Sequence, residues 1–448
     1  MKNHIIYTIV LLLGLTSCNE YLDVEPIGKL IPEKIEDFDR LLVGGAYSIH
    51  STSDEEILFI SADDAEPIIS FLGDITSPEN LPIRYLKWEA DLFPINSQVN
   101  LWNRSYENIY TYNFIVKGID KATGKDSQAK KEIKAEARTM RSYEYFILVN
   151  AFAKQYTKST ANIDLGVPVV TIPDVLAESK QRSTLQETYD FILKDLNESV
   201  NDLPIDPKGI TRAGRAAGYG LLARVYLQMG DYEKARENAN LALEVHGDLA
   251  DYTTNENLGV LYNSEQYVNR YFSGSYGYTG GSMTQETQAL YDLDNDIRVN
   301  GIWALSWRGL MQKSYSTLSN HCVSVSEMYV IRAECNARLL DASVSDVLDD
   351  LNELRRNRIV DYVDIEGVTT KEQALTFVLE ERRREMMSTG VRWFDLKRLN
   401  LESGYAKTIT HNLEEEEYIL QPNSSRYVFP IPPETMNFNP NMKQNIRE

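Results

Sequence analysis

The run Gly214-Arg215-Ala216-Ala217-Gly218-Tyr219-Gly220-Leu221-Leu222-Ala223-Arg224-Val225-Tyr226-Leu227-Gln228-Met229-Gly230-Asp231-Tyr232-Glu233-Lys234-Ala235, continuing through Ala239 and Ala242 to His246, reads as two helices and the turn between them. Ala223, Ala235, Ala239 and Ala242 are small enough for two helix backbones to approach closely, and Tyr226 fills the remaining gap. Gly230-Asp231 makes the turn.

The spacing of Ala223, Tyr226, Gly230, Asp231, Tyr232, Ala235, Ala239 and Ala242 is that of a tetratricopeptide repeat, with Gly247 where that repeat usually closes on proline. A second pair is expected at Val325 to Leu340 and Val344 to Arg358, with Ala333 and Ala337 at the close-packing positions. Such pairs bury their apolar faces only by stacking, so neighbouring helices must complete the scaffold. Three candidates are legible upstream. Trp102, Tyr106, Ile109, Tyr110, Asn113, Val116 and Ile119 recur at helical spacing and end near Gly118 to Gly124. Gln128 to Lys154 is charged at its start and carries Tyr143, Phe146, Ile147, Val149 and Phe152 later. Thr184 to Asn201 places Leu185, Tyr189, Ile192, Leu193 and Leu196 on one face. The expected class is mostly α, interrupted by loop-like segments at Ser61 to Pro94, Gly247 to Ile302 and from Tyr405 onward.

Composition limits the function. The chain has 448 residues, 43% hydrophobic and 25% charged, which suits a globular core. Forty-six basic residues against sixty-six acidic ones, a formal charge of −20, argue against a general binder of nucleic-acid backbones. The five histidines show no HExxH pairing and the three cysteines no CxxC pair, so no metal site, catalytic residue or cofactor is assigned.

The N-terminus carries an apolar run from Ile5 to Leu15, too short for a hydrocarbon core that needs about 20 residues but the length of a signal-peptide core. Leu15-Thr16-Ser17-Cys18 looks like a lipoprotein lipobox, with Cys18 lipidated after cleavage. Residues 1–17 are then a signal peptide and 18–30 a lipidated tether. Residues 31–448 form a helical body, with an N-terminal part to about 246, a loop-rich part over 247–302 and a C-terminal part over 303–448.

Ordered motifs along the whole chain resemble the SusD/RagB-like nutrient-binding lipoproteins of Bacteroidetes. They begin at Cys18-Asn19-Glu20-Tyr21-Leu22-Asp23-Val24-Glu25-Pro26 and include Glu136-Ala137-Arg138-Thr139-Met140-Arg141 and Gly166-Val167-Pro168. Further on come Leu222-Ala223-Arg224-Val225-Tyr226-Leu227, Glu381-Arg382-Arg383-Arg384-Glu385 and Gly390-Val391-Arg392-Trp393-Phe394-Asp395-Leu396-Lys397-Arg398. Pro430-Ile431-Pro432-Pro433-Glu434, Asn439-Pro440-Asn441 and Gln444-Asn445 close the series. Met140 and Thr389 depart from the family pattern. The resemblance implies a surface-exposed, outer-membrane lipoprotein on tetratricopeptide-like pairs. It would capture nutrient, glycan or peptide, for a SusC-like TonB-dependent barrel.

Glu381 and Glu385 could be read as a glycosidase carboxylate pair. Four residues apart beside Arg382 to Arg384, they are expected to be ion-paired instead, and pairing lowers a carboxylate pKa. Glu136 with Arg138 and Arg141, and Asp395 with Arg392 and Arg398, are read the same way. Glu414 to Glu417 reads as a solvated face. Cys322 and Cys335 read as small buried hydrophobes, and Trp102 and Trp393 as core. Ligand contact is assigned to Trp88, Tyr271, Tyr276 and Tyr278, because tyrosine outnumbers phenylalanine 27 to 13 and the loops are rich in Asn, Ser and Gly. Packing of loops onto the scaffold is the competing reading of each ring. An anchored glycosidase and a purely structural repeat are the alternatives from other classes.

Overall fold

The computed structural model describes residues 32–47, 57–67, 73–174, 180–209, 211–254, 264–268, 281–305, 311–313, 323–387 and 389–448; over 44–47, 65–67, 281–282, 300–305 and 311–313 it describes backbone alone. Cys18, the proposed tether, Tyr271, Tyr276, Tyr278 and Cys322 lie outside the described residues.

The architecture is helical, as expected. The chain order is α1 Ile35–Tyr47, β1 Ala65–Pro67, α2 Leu81–Leu86, α3 Asn100–Gly118, α4 Ser127–Phe152, α5 Leu185–Asn197, α6 Arg215–Met229 and α7 Tyr232–Val245. Then follow β2 Gly281–Met283, α8 Gln285–Gln288, α9 Ile297–Ile302, β3 Trp303–Leu305, β4 Met311–Lys313, α10 Val325–Arg338, α11 Val344–Arg356, α12 Lys371–Glu385, α13 Val391–Leu399, β5 Ile409–Leu413, β6 Glu416–Leu420 and α14 Pro433–Phe438. Helices neighbouring in sequence pack as pairs: α3 on α4, α4 on α5, α6 on α7 and α10 on α11. Helix α10 also lies against α7 and α12, which joins the two halves.

The α6–α7 turn forms as its residues dictate. Gly230 takes φ 76° at the end of α6, and the Asp231 side chain accepts from Lys234 N. Ala223, Ala235, Ala239 and Ala242 are fully buried. Close approach continues at Gly220, where an added Cβ would run into the Val323 side chain. Helix starts are capped by side chains elsewhere too. Thr184 with Glu187, Ser343 with Asp346 and Thr370 with Gln373 form reciprocal capping boxes on α5, α11 and α12. Tyr110 is the exception on α3: 41% exposed, it stands off the face that buries Trp102, Ile109 and Asn113.

Helix α4 runs through the middle, and its second half is buried on all sides. Ala153 N closes on Val149 O locally, and the carbonyls from Asn150 to Ala153 find donors from distant segments. Phe429 N donates to Ala151 O at 3.0 Å. Arg182 Nη2 and Asn445 Nδ2 donate to Phe152 O at 3.2 and 2.7 Å. The Lys397 ammonium donates to Asn150 O and Ala153 O at 2.5 and 2.7 Å. A buried helix end without such partners would leave its last carbonyls unsatisfied.

Strand content is small and was not legible. A four-stranded antiparallel sheet has the order β1-β2-β4-β3, pairing Ala65 with Met283 and Trp303 with Lys313. Its strands are three residues each, too short for an alternating pattern to show. The other sheet is the β5–β6 hairpin, which buries Ile409, His411 and Leu413 on one face.

Candidate functional site

Trp88 is the one assigned ligand-contact residue that the structure describes, and it lies inside the protein at 1% exposure. Its backbone N donates to Tyr85 O at 3.2 Å and its indole Nε1 to Ser61 O at 3.0 Å. Its ring stacks on His411, centroids 4.1 Å apart. These contacts hold a non-glycine residue at φ 48°, a left-handed conformation that costs ~1–3 kcal/mol unless its surroundings dictate it. The His411 ring is held in turn. Its Nδ1 lies 2.9 Å from Leu86 O and its Nε2 2.9 Å from Ala62 O. A ring protonated on both nitrogens satisfies both carbonyls. As placed, Trp88 ties the 61–67 segment to the C-terminal hairpin and offers no free face. Trp102 and Trp393 are core, at 4% and 0% exposure.

The acidic and basic motifs pair, along single helices for Arg384 with Glu381 and Arg398 with Asp395, and otherwise across the fold. Glu381 is bound by Arg298 and Arg355 at 2.7 Å and by Arg384 at 2.9 Å. Burial opposes its charge, yet Arg384, Arg298 and Arg355 outweigh burial and hold its carboxyl far below the usual range. Glu385 meets Arg298 at 2.7 Å and Arg358 at 3.0 Å. Of the arginines on the same helix, Arg382 turns to Asp395 at 2.8 Å, and Arg383 to Asp64 at 2.7 Å and Glu286 at 2.6 Å. Glu136 takes Arg212 at 2.6 Å instead of Arg138 or Arg141, and Arg141 takes Asp195. Arg392 reaches Asp63 at 2.7 Å, whereas Arg398 does pair with Asp395, at 2.8 Å. Spacing along a helix predicts which residues can meet, not which partner another element brings closer. A carboxylate locked ionised as Glu381 is cannot act as a general acid. Cys335 is buried, and burial pushes its thiol up, away from reactivity. Among the described residues, no three or more His, Cys, Asp or Glu side chains gather as a metal site.

One cleft was missed by sequence reasoning. It encloses about 860 Å³ between segments 154–165, 397–401, 423–428 and 444–448, beside the C-terminus of α4. Its polar residues, among them Asn400, Tyr427, Gln444 and Asn445, come from segments far apart in the chain. The Gln444-Asn445 motif and the Lys397 end of the Gly390 to Arg398 motif pointed to the region. Asn445 proves to be a clasp there: Nδ2 donates to Phe152 O and Phe429 O, and Oδ1 accepts from Arg182. No described helix is long and apolar enough to cross a membrane.

Fold and clefts define a helical scaffold with recessed polar surfaces and ion pairs consumed internally, the build of a binding protein. Family models identify it further. Residues 20–227 match the model described as "Starch-binding associating with outer membrane", and residues 223–447 match the SusD family. The chain belongs to the SusD family. It is similar to SusD-like protein P2 of Formosa agariphila, 26% identical over 254 residues, which span 54% of this chain and 46% of that protein. The chain thus spans about half the length of that relative. Its fold matches a SusD superfamily protein from Bacteroides thetaiotaomicron with TM-score 0.76 and 22% identity, covering 92% of this chain and 100% of the other. It also matches surface glycan-binding protein A from Bacteroides uniformis with TM-score 0.73 and 17% identity, covering 92% and 100%.

Proposed function

We propose that this protein is a surface-exposed, lipid-anchored glycan-binding protein that hands its ligand to a SusC-like TonB-dependent transporter in the outer membrane. The observation that carries this reading is the family match, which runs through the chain from residue 20 to residue 447. The lipobox ending at Cys18 supports the anchor. The ligand is captured and not cleaved: the carboxylates that could have served as a catalytic pair are neutralised by arginines inside the scaffold. With Trp88 buried, ligand contact rests on Tyr271, Tyr276 and Tyr278, whose rings can stack on sugar C–H faces while their hydroxyls meet sugar oxygens.

Calorimetric titration with a panel of oligosaccharides and peptides tests the reading. A glycan is expected to bind and to remain intact on prolonged incubation. Alanine at Tyr271, Tyr276 or Tyr278 is expected to cost ~0.5–1.5 kcal/mol beyond lost contact area for each stacked ring. Binding confined to peptides would replace the ligand class and keep the transport role. Hydrolysis of the glycan by pure protein would overturn the non-catalytic reading.

A further inference from the structure

The N-terminal end of the described body is fixed to one corner of the fold, the turn between α3 and α4. Thr123 in that turn donates from its backbone N to Glu33 O at 2.7 Å and from its hydroxyl to the same oxygen at 3.0 Å. Ile35 N donates back to Thr123 O at 3.4 Å. The proposed tether, Cys18 to residue 31, therefore joins the body at this corner.

The corner reverses the charge balance of the chain. Residues 117–134 hold six lysines and three acidic residues, in a protein with 46 basic and 66 acidic residues. Lys34, Lys117, Lys121, Lys125 and Lys131 are exposed, and no described carboxylate pairs with any of them. Elsewhere exposed cations such as Lys154, Lys234 and Arg356 are paired, with Asp164, Asp231 and Asp364. Lys130 folds back to donate to Ala122 O at 2.5 Å, and Lys134 pairs with Asp120 at 2.5 Å. The other acids of the corner are mostly engaged. Asp126 caps α4 by accepting from Ala129 N at 2.9 Å, and Glu132 accepts from Gln128 at 2.9 Å. Asp37 accepts from Glu33 N and Lys34 N at 3.2 and 3.0 Å, which leaves Glu33 and Glu36 open.

Tether length and charge point the same way. Residues 18–31 reach about 50 Å when fully extended and span ~20 Å as a flexible coil. A body of this size has a radius of gyration of ~22 Å. The anchor thus keeps this corner closer to the membrane than the rest of the protein. A body with a formal charge of −20 is repelled by a phosphate-bearing surface unless it turns a basic patch towards it, and that attraction acts within ~8 Å. We propose that the lysine corner at the α3–α4 turn docks on the phosphate groups of lipid headgroups and so sets how the body stands over the membrane. An acyl anchor alone leaves the body free to turn about its tether; a second, electrostatic contact removes that freedom. The inference rests on the lipid-anchor reading above and is independent of the ligand.

The test inserts the lipidated chain, purified from membranes, into vesicles of phosphatidylcholine alone and of an equal mixture of phosphatidylcholine and phosphatidylglycerol. Amine acetylation is then followed lysine by lysine by peptide mass spectrometry. On the anionic vesicles Lys34, Lys117, Lys121, Lys125 and Lys131 are expected to react roughly fivefold more slowly than on the neutral ones. Lys158, past the far end of α4, and Lys443 should react alike on both. Molar salt, where the screening length contracts to ~3 Å, should abolish the difference. The combined variant Lys121→Glu, Lys125→Glu and Lys131→Glu should melt as wild type does, because those side chains have no carboxylate partners to lose, and should leave Lys34 and Lys117 unprotected. Equal reaction on the two vesicles, or protection that survives in the variant, overturns the proposal. Protection in native outer membranes but on neither vesicle assigns the corner to a protein partner and overturns it as well. Mass spectrometry of Cys18 reads the anchor separately: an unacylated Cys18 overturns the anchor and this proposal together, whereas an acylated Cys18 with unprotected lysines overturns the corner alone.

Discussion

Glu381 shows how a single residue's surroundings decide between chemistry and construction. Its position next to Arg382 to Arg384 announced an ion pair, and an ion pair it is, but Arg298 and Arg355 come from other elements. Only the fold could supply them. The depressed pKa has a defined consequence. As pH falls through the ordinary carboxylate range, near ~4.3, the unfolded chain takes up a proton that the folded chain refuses, so stability present above that range is lost below it. Glu381→Gln is expected to cost ~3–5 kcal/mol at pH 7 by leaving the arginines uncompensated. The difference from wild type should shrink as pH drops below ~4; urea unfolding at a series of pH values reads both. A constant difference from pH 3 to pH 7 would show that Glu381 does not contribute through its charge. Departures from the family pattern are accommodated locally. Met140 is buried at 5%, and Thr389 closes its turn by donating from Oγ1 to Met386 O at 2.6 Å, just before Gly390 takes φ 74°.

At the scale of elements, helices were legible where local chemistry suffices. The start of α5 at Leu185 follows from Thr184 and Glu187, which satisfy each other's backbone N–H groups. Thr184→Ala is expected to cost ~1 kcal/mol, read as a lower urea midpoint with hydrogen exchange accelerating first over 185–189. The α6–α7 pair was legible for a similar reason, since small residues and a Gly-Asp turn leave few alternatives. The three-residue strands were not legible: β1 and β2 are held by hydrogen bonds to each other across more than two hundred residues of chain, and neither has a local pattern to display. The ends of long helices behave likewise. Nothing within Ser127–Phe152 says that Lys397 will satisfy its last carbonyls, because the lysine becomes a cap only when α13 is laid beside it.

Across the whole molecule, the C-terminal segment works as a clasp on the N-terminal half. Phe429 and Ile431 sit in the same core as Phe146 and Phe152, and Asn445 joins Phe152, Phe429 and Arg182 by hydrogen bonds. Asn445→Ala removes the donor to Phe429 O, at a cost of ~1–3 kcal/mol where that carbonyl stays buried, while Phe152 O keeps Arg182 Nη2 and Arg182 Nη1 keeps Lys443 O. Hydrogen exchange is expected to speed up together at the end of α4 and over 426–431, two segments far apart in sequence. Acceleration confined to the tail would show that it does not clamp α4. The same convergence builds the cleft beside the end of α4, which no single segment contains.

The sequence by itself determined the helical class, the α6–α7 and α10–α11 pairs and the membership of a binding family. These rest on periodicity, turn chemistry and motifs that are local in the chain. Tertiary structure alone decided that Trp88 packs inside on His411, and which arginine meets which carboxylate. Burial, ion pairing and clefts depend on distances between residues far apart in the chain, and those distances exist only once the helices have packed.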